Sequence, residues 1–200
     1  TSLNLGMNLA LLSNRLHITF DYFNKKSTNL LGQDYFDPTT GIINTGTFFN
    51  MDNIRNYASL SNNGFDLDIQ SKNLQGNVKW NSQLLLSHVK NKVVEHYLRS
   101  NELLTNYLGT LAIPPVKGNS KDQLYAIPWN GLDNMGNPLV KNEDELDTDY
   151  AKYFTNLKPS DFIKIGVSRP TFFGSLRNSI AYRDFSMSFS ILFKMGHVVR

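Results

Sequence analysis

Cysteine is missing from all 200 residues, which rules out a disulfide framework and any cysteine-ligated metal centre. No apolar run approaches the roughly 18 residues of a membrane-spanning helix. Twenty Lys and Arg against 17 Asp and Glu leave a net charge of +3, spread along the chain without the basic run that nucleic-acid binding needs. The opening stretch "TSLNLGMNLALLSNRL" lacks the charged start, apolar block and small-residue cleavage site of a signal peptide. There is no glycine-rich phosphate loop and no nucleophile elbow. The four histidines (His17, His88, His96 and His197) are scattered without zinc spacing. No catalytic site is legible, and the chain is not read as an enzyme.

What the chain has is alternation. In "DFSMSFSILFKMG", Phe185, Met187, Phe189, Ile191, Phe193 and Met195 occupy every second position, with Ser186, Ser188, Ser190, Leu192 and Lys194 between them. Successive side chains of a strand point to opposite faces, so this is a strand with one apolar face. Its length is unusual, because strands of soluble domains mostly stop at about 5–6 residues. Five further segments share the pattern. Leu3, Leu5, Met7, Leu9 and Leu11 fall on one face; Leu16, Ile18, Phe20 and Tyr22 on the next. Phe65, Leu67 and Ile69 follow, then Val78, Trp80, Leu84 and Leu86, then more weakly Leu176, Ile180 and Tyr182. These predict strands near 2–12, 15–24, 63–72, 77–90, 171–182 and 184–196, neighbours in chain order.

The connections run short, long, short, long, short, with long segments at about 24–62 and 91–170. That rhythm is expected of an antiparallel barrel in an outer membrane, with short periplasmic turns and long extracellular loops. Strand length has the same origin, since a strand tilted across a bilayer needs about 9–11 residues. The mean hydropathy of −0.33 does not contradict this, because alternating strands average out. A half-solvated sheet of a β-sandwich alternates in the same way and remains the competing architecture. Aromatics add support: Trp80, Tyr182 and Phe185 fall near the periplasmic ends, Phe20 and Tyr22 near the outer ends, where girdles sit.

The expected fold class is therefore all-β: an antiparallel transmembrane β-barrel segment of about six strands with long extracellular loops. The smallest membrane barrels have about eight strands, and an open sheet would leave edge groups unpaired in lipid, so further strands are expected before Thr1, after Arg200, or both. Leu5, Leu9, Ile18, Phe20, Leu67, Leu84, Phe189 and Ile191 are the expected lipid-facing residues. Arg15, Asp66, Asp68 and Lys79 are candidates to line the lumen, or to pair with each other.

The order of motifs resembles a known family. "RLHITFDYFNKKSTNLL", "NNGFDLDI", "VKWNSQLLLSHVKNKVV", "YAIPWNGLDNMGNPL" and "SRPTFFGSLRNSIAYRDFSMSFSILFKMG" are similar to successive strands and loops of the SusC/RagA-type TonB-dependent outer-membrane transporters. The resemblance implies a barrel of about 22 strands around an internal plug. It also implies energy from the TonB system, a SusD-like surface lipoprotein as lid, and oligosaccharides or peptides as ligands. Residues 1–200 would then be part of one barrel domain in the outer membrane of a Gram-negative bacterium, with the plug and the TonB-contacting N-terminal part lying elsewhere. A passive porin has the same strand pattern and is the alternative, as is a soluble β-sandwich binding module.

The long loops carry aromatic clusters, Tyr35-Phe36, Phe48-Phe49, Tyr125 with Trp129, and Tyr153-Phe154. Flat rings with polar rims suit a sugar or peptide, although loop packing is the ordinary use of any one of them. Trp129 leads the candidates, followed by Tyr125, Tyr35 and Phe36. "NEDELDTD" is the densest acidic stretch, and Asp144, Glu145 and Asp147 offer oxygens to calcium. It lacks EF-hand spacing and its glycine, so a solvated loop is the preferred reading and no cofactor is expected.

Overall fold

The computed structural model describes residues 1–34, 53–97, 107–108, 115–142 and 145–199. Six long strands form one antiparallel sheet. They are β1 (Ser2–Leu11), β2 (Leu16–Asp34), β3 (Asn53–Gln75), β4 (Val78–His96), β9 (Phe172–Tyr182) and β10 (Phe185–Met195), in the order β1-β2-β3-β4-β9-β10. Four short strands lie between β4 and β9: β5 (Gln123–Ala126), β6 (Val140–Asn142), β7 (Glu145–Asp147) and β8 (Ile163–Val167). With them, among the described residues, are one short α-helix, α1 (Tyr150–Asn156), and a 3-10 turn at Pro159–Asp161. No helix among the described residues is long and apolar enough to cross a membrane.

Register makes one continuous apolar face from the alternation. Leu9 opposes Ile18, Ile18 opposes Ile69, and Ile69 opposes Leu84. Leu84 opposes Leu176, which opposes Ile191. Residues directly opposite in a ladder share a face, so this line crosses all six strands without changing side. A second line, Met7, Phe20, Leu67, Leu86, Gly174 and Phe193, runs beside it. On the other face the matching line is Asn8, Thr19, Asp68, Leu85, Ser175 and Leu192.

No second sheet covers the apolar face among the described residues. Leu5 is 58% exposed, Leu9 39%, Phe189 46% and Ile191 55%. Ile18, Phe20, Leu67 and Leu84, flanked on both sides by strands, are half-buried. The buried apolar residues lie elsewhere: Ala58 and Val93 in the outer reach of β3 and β4, and Leu124, Tyr125, Val140, Tyr153 and Leu157 in the segment between β4 and β9. A sandwich would bury one face of these strands, and that arrangement is not found here.

The loop boundaries inferred from alternation need correction. Of residues 24–62, the described ones, 24–34 and 53–62, are a continued ladder, from Lys25 opposite Asn62 to Asp34 opposite Asn53. β4 likewise runs on to His96, opposite Ala58. Alternation marks only where one face is apolar. Beyond the apolar band the alternation fades, with apolar residues such as Ala58 and Val93 set singly among polar ones, and backbone pairing continues without a regular side-chain signature. The ladder slips between Ser27 and Leu30, where Asn29 takes a positive φ of 54°. The segment 91–170, expected as loop, contains the rest of β4, the four short strands and α1.

Polar side chains close the short turns. The Arg15 guanidinium donates to the Lys72 carbonyl at 3.2 Å and the Asn73 carbonyl at 2.7 Å, tying the β1–β2 turn to the end of β3. Arg15 thus clamps the turn. Near the same end, Asn73 donates to Ser82, Ser82 to Asn178, and the Trp80 indole N–H to Asn178 at 3.0 Å. At the opposite end of the band a row of rings crosses four strands. Phe20 stacks on Phe65 at 5.8 Å, Phe65 lies 5.6 Å from His88, and His88 stacks on Phe172 at 4.1 Å.

Gly174 marks a close approach in this packing. A Cβ there would collide with the Leu85 carbonyl oxygen and come within 2.7 Å of the Phe193 ring, which lies across the glycine. Aromatic cover of a strand glycine pins register between neighbouring strands. Gly174→Ala should therefore lower the urea stability of the detergent-folded protein by about 1–3 kcal/mol. Gly76→Ala, whose Cβ meets nothing within 4 Å, should stay within about 0.5 kcal/mol of the parent. Equal midpoints for the two variants would show that the β9–β10 contact is looser than this packing requires.

Candidate ligand-facing surface of the loops

The segment between β4 and β9 folds onto a small core of its own. β5 pairs with β8 and β6 with β7, both antiparallel. Val140, Tyr153 and Leu157 are buried together, with Ile127 and Phe162 packed against them. Asp149 caps α1 by accepting from the Lys152 amide at 2.9 Å. The ring of Tyr153 is one of the cluster's anchors, and burial pushes its phenol pKa up, with Asp161 adding to the shift.

Tyr125 and Trp129, four residues apart, have opposite fates. Tyr125 is 6% exposed, in edge contact with Tyr107 at 5.7 Å and Phe162 at 6.2 Å. Its hydroxyl accepts from Asn119 at 2.6 Å, and burial raises its pKa. The Tyr125 ring is thus used in packing. Trp129 is 70% exposed and stands on the loop surface. Beside it, Pro128 and Asn130 border a recess of about 530 Å³ whose wall includes Asn142, Tyr153, Asn156 and Asp161. An exposed indole next to amide and carboxylate groups can stack a flat ligand face and exchange hydrogen bonds with its polar edge. Tyr35 and Phe36, the other two candidates, lie outside the described residues, as does the pair Phe48-Phe49.

The turn that follows Trp129 is held by one carboxylate. Asp133 accepts from the amides of Met135 and Asn137, each at 2.8 Å, and from the Asn137 side chain at 2.8 Å. Leu139 donates back to Gly131 at 2.9 Å, and Gly131 and Gly136 have positive φ values of 91° and 86°. The sequence "GLDNMGNP" is a turn because these two glycines and Asp133 provide what the backbone needs. The acidic stretch is used in a similar way. Asp147 accepts from the Asn142 side chain and from the Asp149 amide, joining the β6–β7 hairpin to α1. Asp144 lies outside the described residues, and among those described no three His, Cys, Asp or Glu are placed to hold a metal ion.

On the polar face of the long strands, Asp68 accepts from Gln83 at 3.1 and 3.2 Å and from Gln70 at 3.0 Å, while Asp66 accepts from Ser87. Alternation alone could not show that these acids are matched to amides and a hydroxyl on the same or the next strand.

With this geometry in view, the relatives can be compared. No family model matches the chain. TonB-dependent receptor P3 of Formosa agariphila is 24% identical over 210 residues, covering 93% of this chain and 19% of the relative. TonB-dependent receptor P26 of the same organism is 23% identical over 217 residues, covering 99% and 20%. A solved structure of the RagAB peptide transporter shares the fold with a TM-score of 0.71 at 15% identity, over 98% of this chain and 20% of that one. The RagAB peptide importer in its open-open state gives the same TM-score. By sequence, then, the chain is similar to TonB-dependent receptors, and its fold is similar to a stretch of the RagAB transporter structures. It spans about a fifth of the length of these relatives, which are receptors and transporters and not enzymes.

The carboxylate of Asp133 titrates below the ordinary range, chiefly through the Asn137 side chain and then the Asn137 amide. A lowered folded-state pKa gives a tie that is complete above the ordinary carboxylate pKa and is lost as pH falls through the lowered value. Hydrogen exchange across residues 131–139, corrected for intrinsic rate, should thus be slow at neutral pH and accelerate in that acid window. Asp133→Asn should exchange faster at neutral pH and lose the pH dependence. A pH-independent parent would mean the turn is held by its glycines alone.

Proposed function

We propose that this chain is one stretch of the wall and mouth of an energised importer in the outer membrane of a Gram-negative bacterium. The importer takes up oligosaccharides or peptides with a SusD-like surface lipoprotein, and its plug and TonB-contacting segment lie outside these residues. The observation that carries the reading is the uncovered apolar face of the six-stranded sheet. A patch that spans six strands is far beyond what water-facing surfaces expose. Its solvent is hydrocarbon, with Leu5, Leu9, Ile18, Phe20, Leu67, Leu84, Phe189 and Ile191 toward lipid. Between its outer edges on β1 and β10 the sheet pairs its backbone groups strand to strand, as the bilayer demands. The row Phe20, Phe65, His88 and Phe172 and the group Trp80, Tyr182 and Phe185 then serve as the two interfacial girdles.

The extended ladder of β2, β3 and β4 and the folded segment before β9 lie on the extracellular side in this reading. They form the surface for ligand and lid. The names of the RagAB structures speak of peptide import by those proteins, which supports the peptide class here. The exposed Trp129 beside an amide-lined recess suits a sugar ring as well.

Two experiments test the reading. In the full-length protein folded in detergent or lipid, Phe189→Arg should cost about 2–4 kcal/mol if it lies at the midplane, whereas Ser188→Arg on the lumen side should be tolerated. Equal costs would reverse or abolish the assignment of faces. Trp129→Ala should weaken capture of the ligand by the transporter and its lid while leaving insertion intact, with Lys117→Ala as the matched surface control. Unchanged binding in Trp129→Ala would make the indole a packing residue.

A further inference from the structure

β4 projects past the start of β9, and its edge there is only partly covered. Val89 donates to the Thr171 carbonyl at 2.9 Å, and Val93 donates to the Asn119 carbonyl at 2.8 Å. Between these two bonds no backbone partner among the described residues covers the edge. In an antiparallel ladder, amides two residues apart point the same way, so the Asn91 N–H faces this gap. Around the gap is a cleft of about 860 Å³, enclosed by the outer end of β4, by residues 118–123 and by residues 164–173. Five cations line it, Lys90, Lys92, Lys121, Lys164 and Arg169, against a single carboxylate, Asp122.

That carboxylate is already engaged. Arg169 Nε lies 3.1 Å from one oxygen of Asp122, and the Asn91 side chain donates to the other at 2.8 Å. Asn91 in turn accepts from the Ser120 hydroxyl and the Lys121 amide, each at 2.8 Å. Lys164 donates to Asn119 at 2.8 Å, which still leaves it two further N–H donors. The walls are thus pinned to one another, and the cations stand on a fixed frame. With Arg169 and Asp122 matched, four lysine charges face the cleft without a described carboxylate to balance them.

We propose that this cleft binds a multiply charged oxyanion, a phosphate or sulfate group. Lysines supply mobile point charges, and the Asn91 amide adds a fixed donor, a combination suited to tetrahedral oxyanions. Two sources offer such a group. Lys90 and Lys92 have the parity of His88 and lie just past the ring row at the outer limit of the apolar band, within reach of phosphates on outer-leaflet lipid headgroups. Lys121 and Lys164 lie on the loop side, within reach of a phosphate or sulfate on a soluble ligand. Binding at this cleft does not depend on what the whole protein imports, so its failure and the failure of the import reading are separate results.

The test uses the full-length protein, with folding checked by heat-modifiable gel mobility. In one arm, inorganic pyrophosphate is titrated by calorimetry at low and high salt. In the other, phosphate-bearing lipid retained after extraction from outer membranes is measured by mass spectrometry. If the source is soluble, binding should be saturable and salt-sensitive, and weakened about tenfold by the double change Lys121→Gln with Lys164→Gln. If the source is the bilayer, Lys90→Gln with Lys92→Gln should strip the retained lipid and leave folding intact. Either result supports the site and identifies its source. Lys117→Gln, an exposed lysine outside the cleft, should change neither readout. The proposal is overturned if both double variants match the parent in both arms, or if Lys117→Gln causes the same loss, because net charge and not the cleft would then be responsible.

Discussion

A bilayer offers no water to an unpaired amide, and on the reading proposed above the rest of this structure answers that constraint. On that reading each strand satisfies its backbone on a neighbour; β1, β9 and β10, of 10 or 11 residues, match a single crossing, and β2, β3 and β4 run on beyond it. β4 and β9 pair from Val78 opposite Tyr182 to His88 opposite Phe172, although residues 97–171 separate them in the chain. The intervening segment therefore has to leave and return at neighbouring points on one rim. Its described residues form a small core of their own, attached to the outer end of β4 at Val93 and to the residues after β10 through Val198, which donates to Val167 in β8.

The same constraint divides the labour of the side chains. On the apolar face they need only be hydrocarbon of suitable size, and Leu, Ile, Phe and Met recur with no marked pattern of their own. Where that face carries polar atoms, they are consumed locally, as Trp80, Ser82 and Asn178 show. On the polar face, acids are matched to amides and hydroxyls, as with Asp68 and Gln83. Outside the band, the aqueous segments follow the rules of any small soluble fold. Caps, glycine turns and a cluster of apolar rings hold them, and binding groups such as Trp129 and the lysine cleft are set on that frame.

The strands, their order and their apolar face were legible in the sequence, because a period of two over ten residues has few other physical causes. The segment Ser2–Leu11 and the segment Phe185–Met195 were found within a residue or two for that reason. The outer halves of β2, β3 and β4 were not legible. Lys25 pairs with Asn62 through backbone atoms alone, and no property of either side chain announces it. Site residues divide in the same way. Aromatic content drew attention to both Tyr125 and Trp129, but composition cannot distinguish a ring that packs from a ring that protrudes.

By itself the sequence determined which face of each strand is apolar, the turns that end each hairpin and the direction of the chain through the sheet, since each of these depends on local pattern. Only the tertiary structure decided that Tyr125 lies against Tyr107 and Phe162 while Trp129 stays in water. It also decided that Arg15 clamps Lys72 and Asn73, and that lysines from positions 90, 92, 121 and 164 line one cleft. Those outcomes depend on contacts between residues far apart in the chain. Such contacts are fixed by where the long segments return to the rim, and no local period encodes that distance.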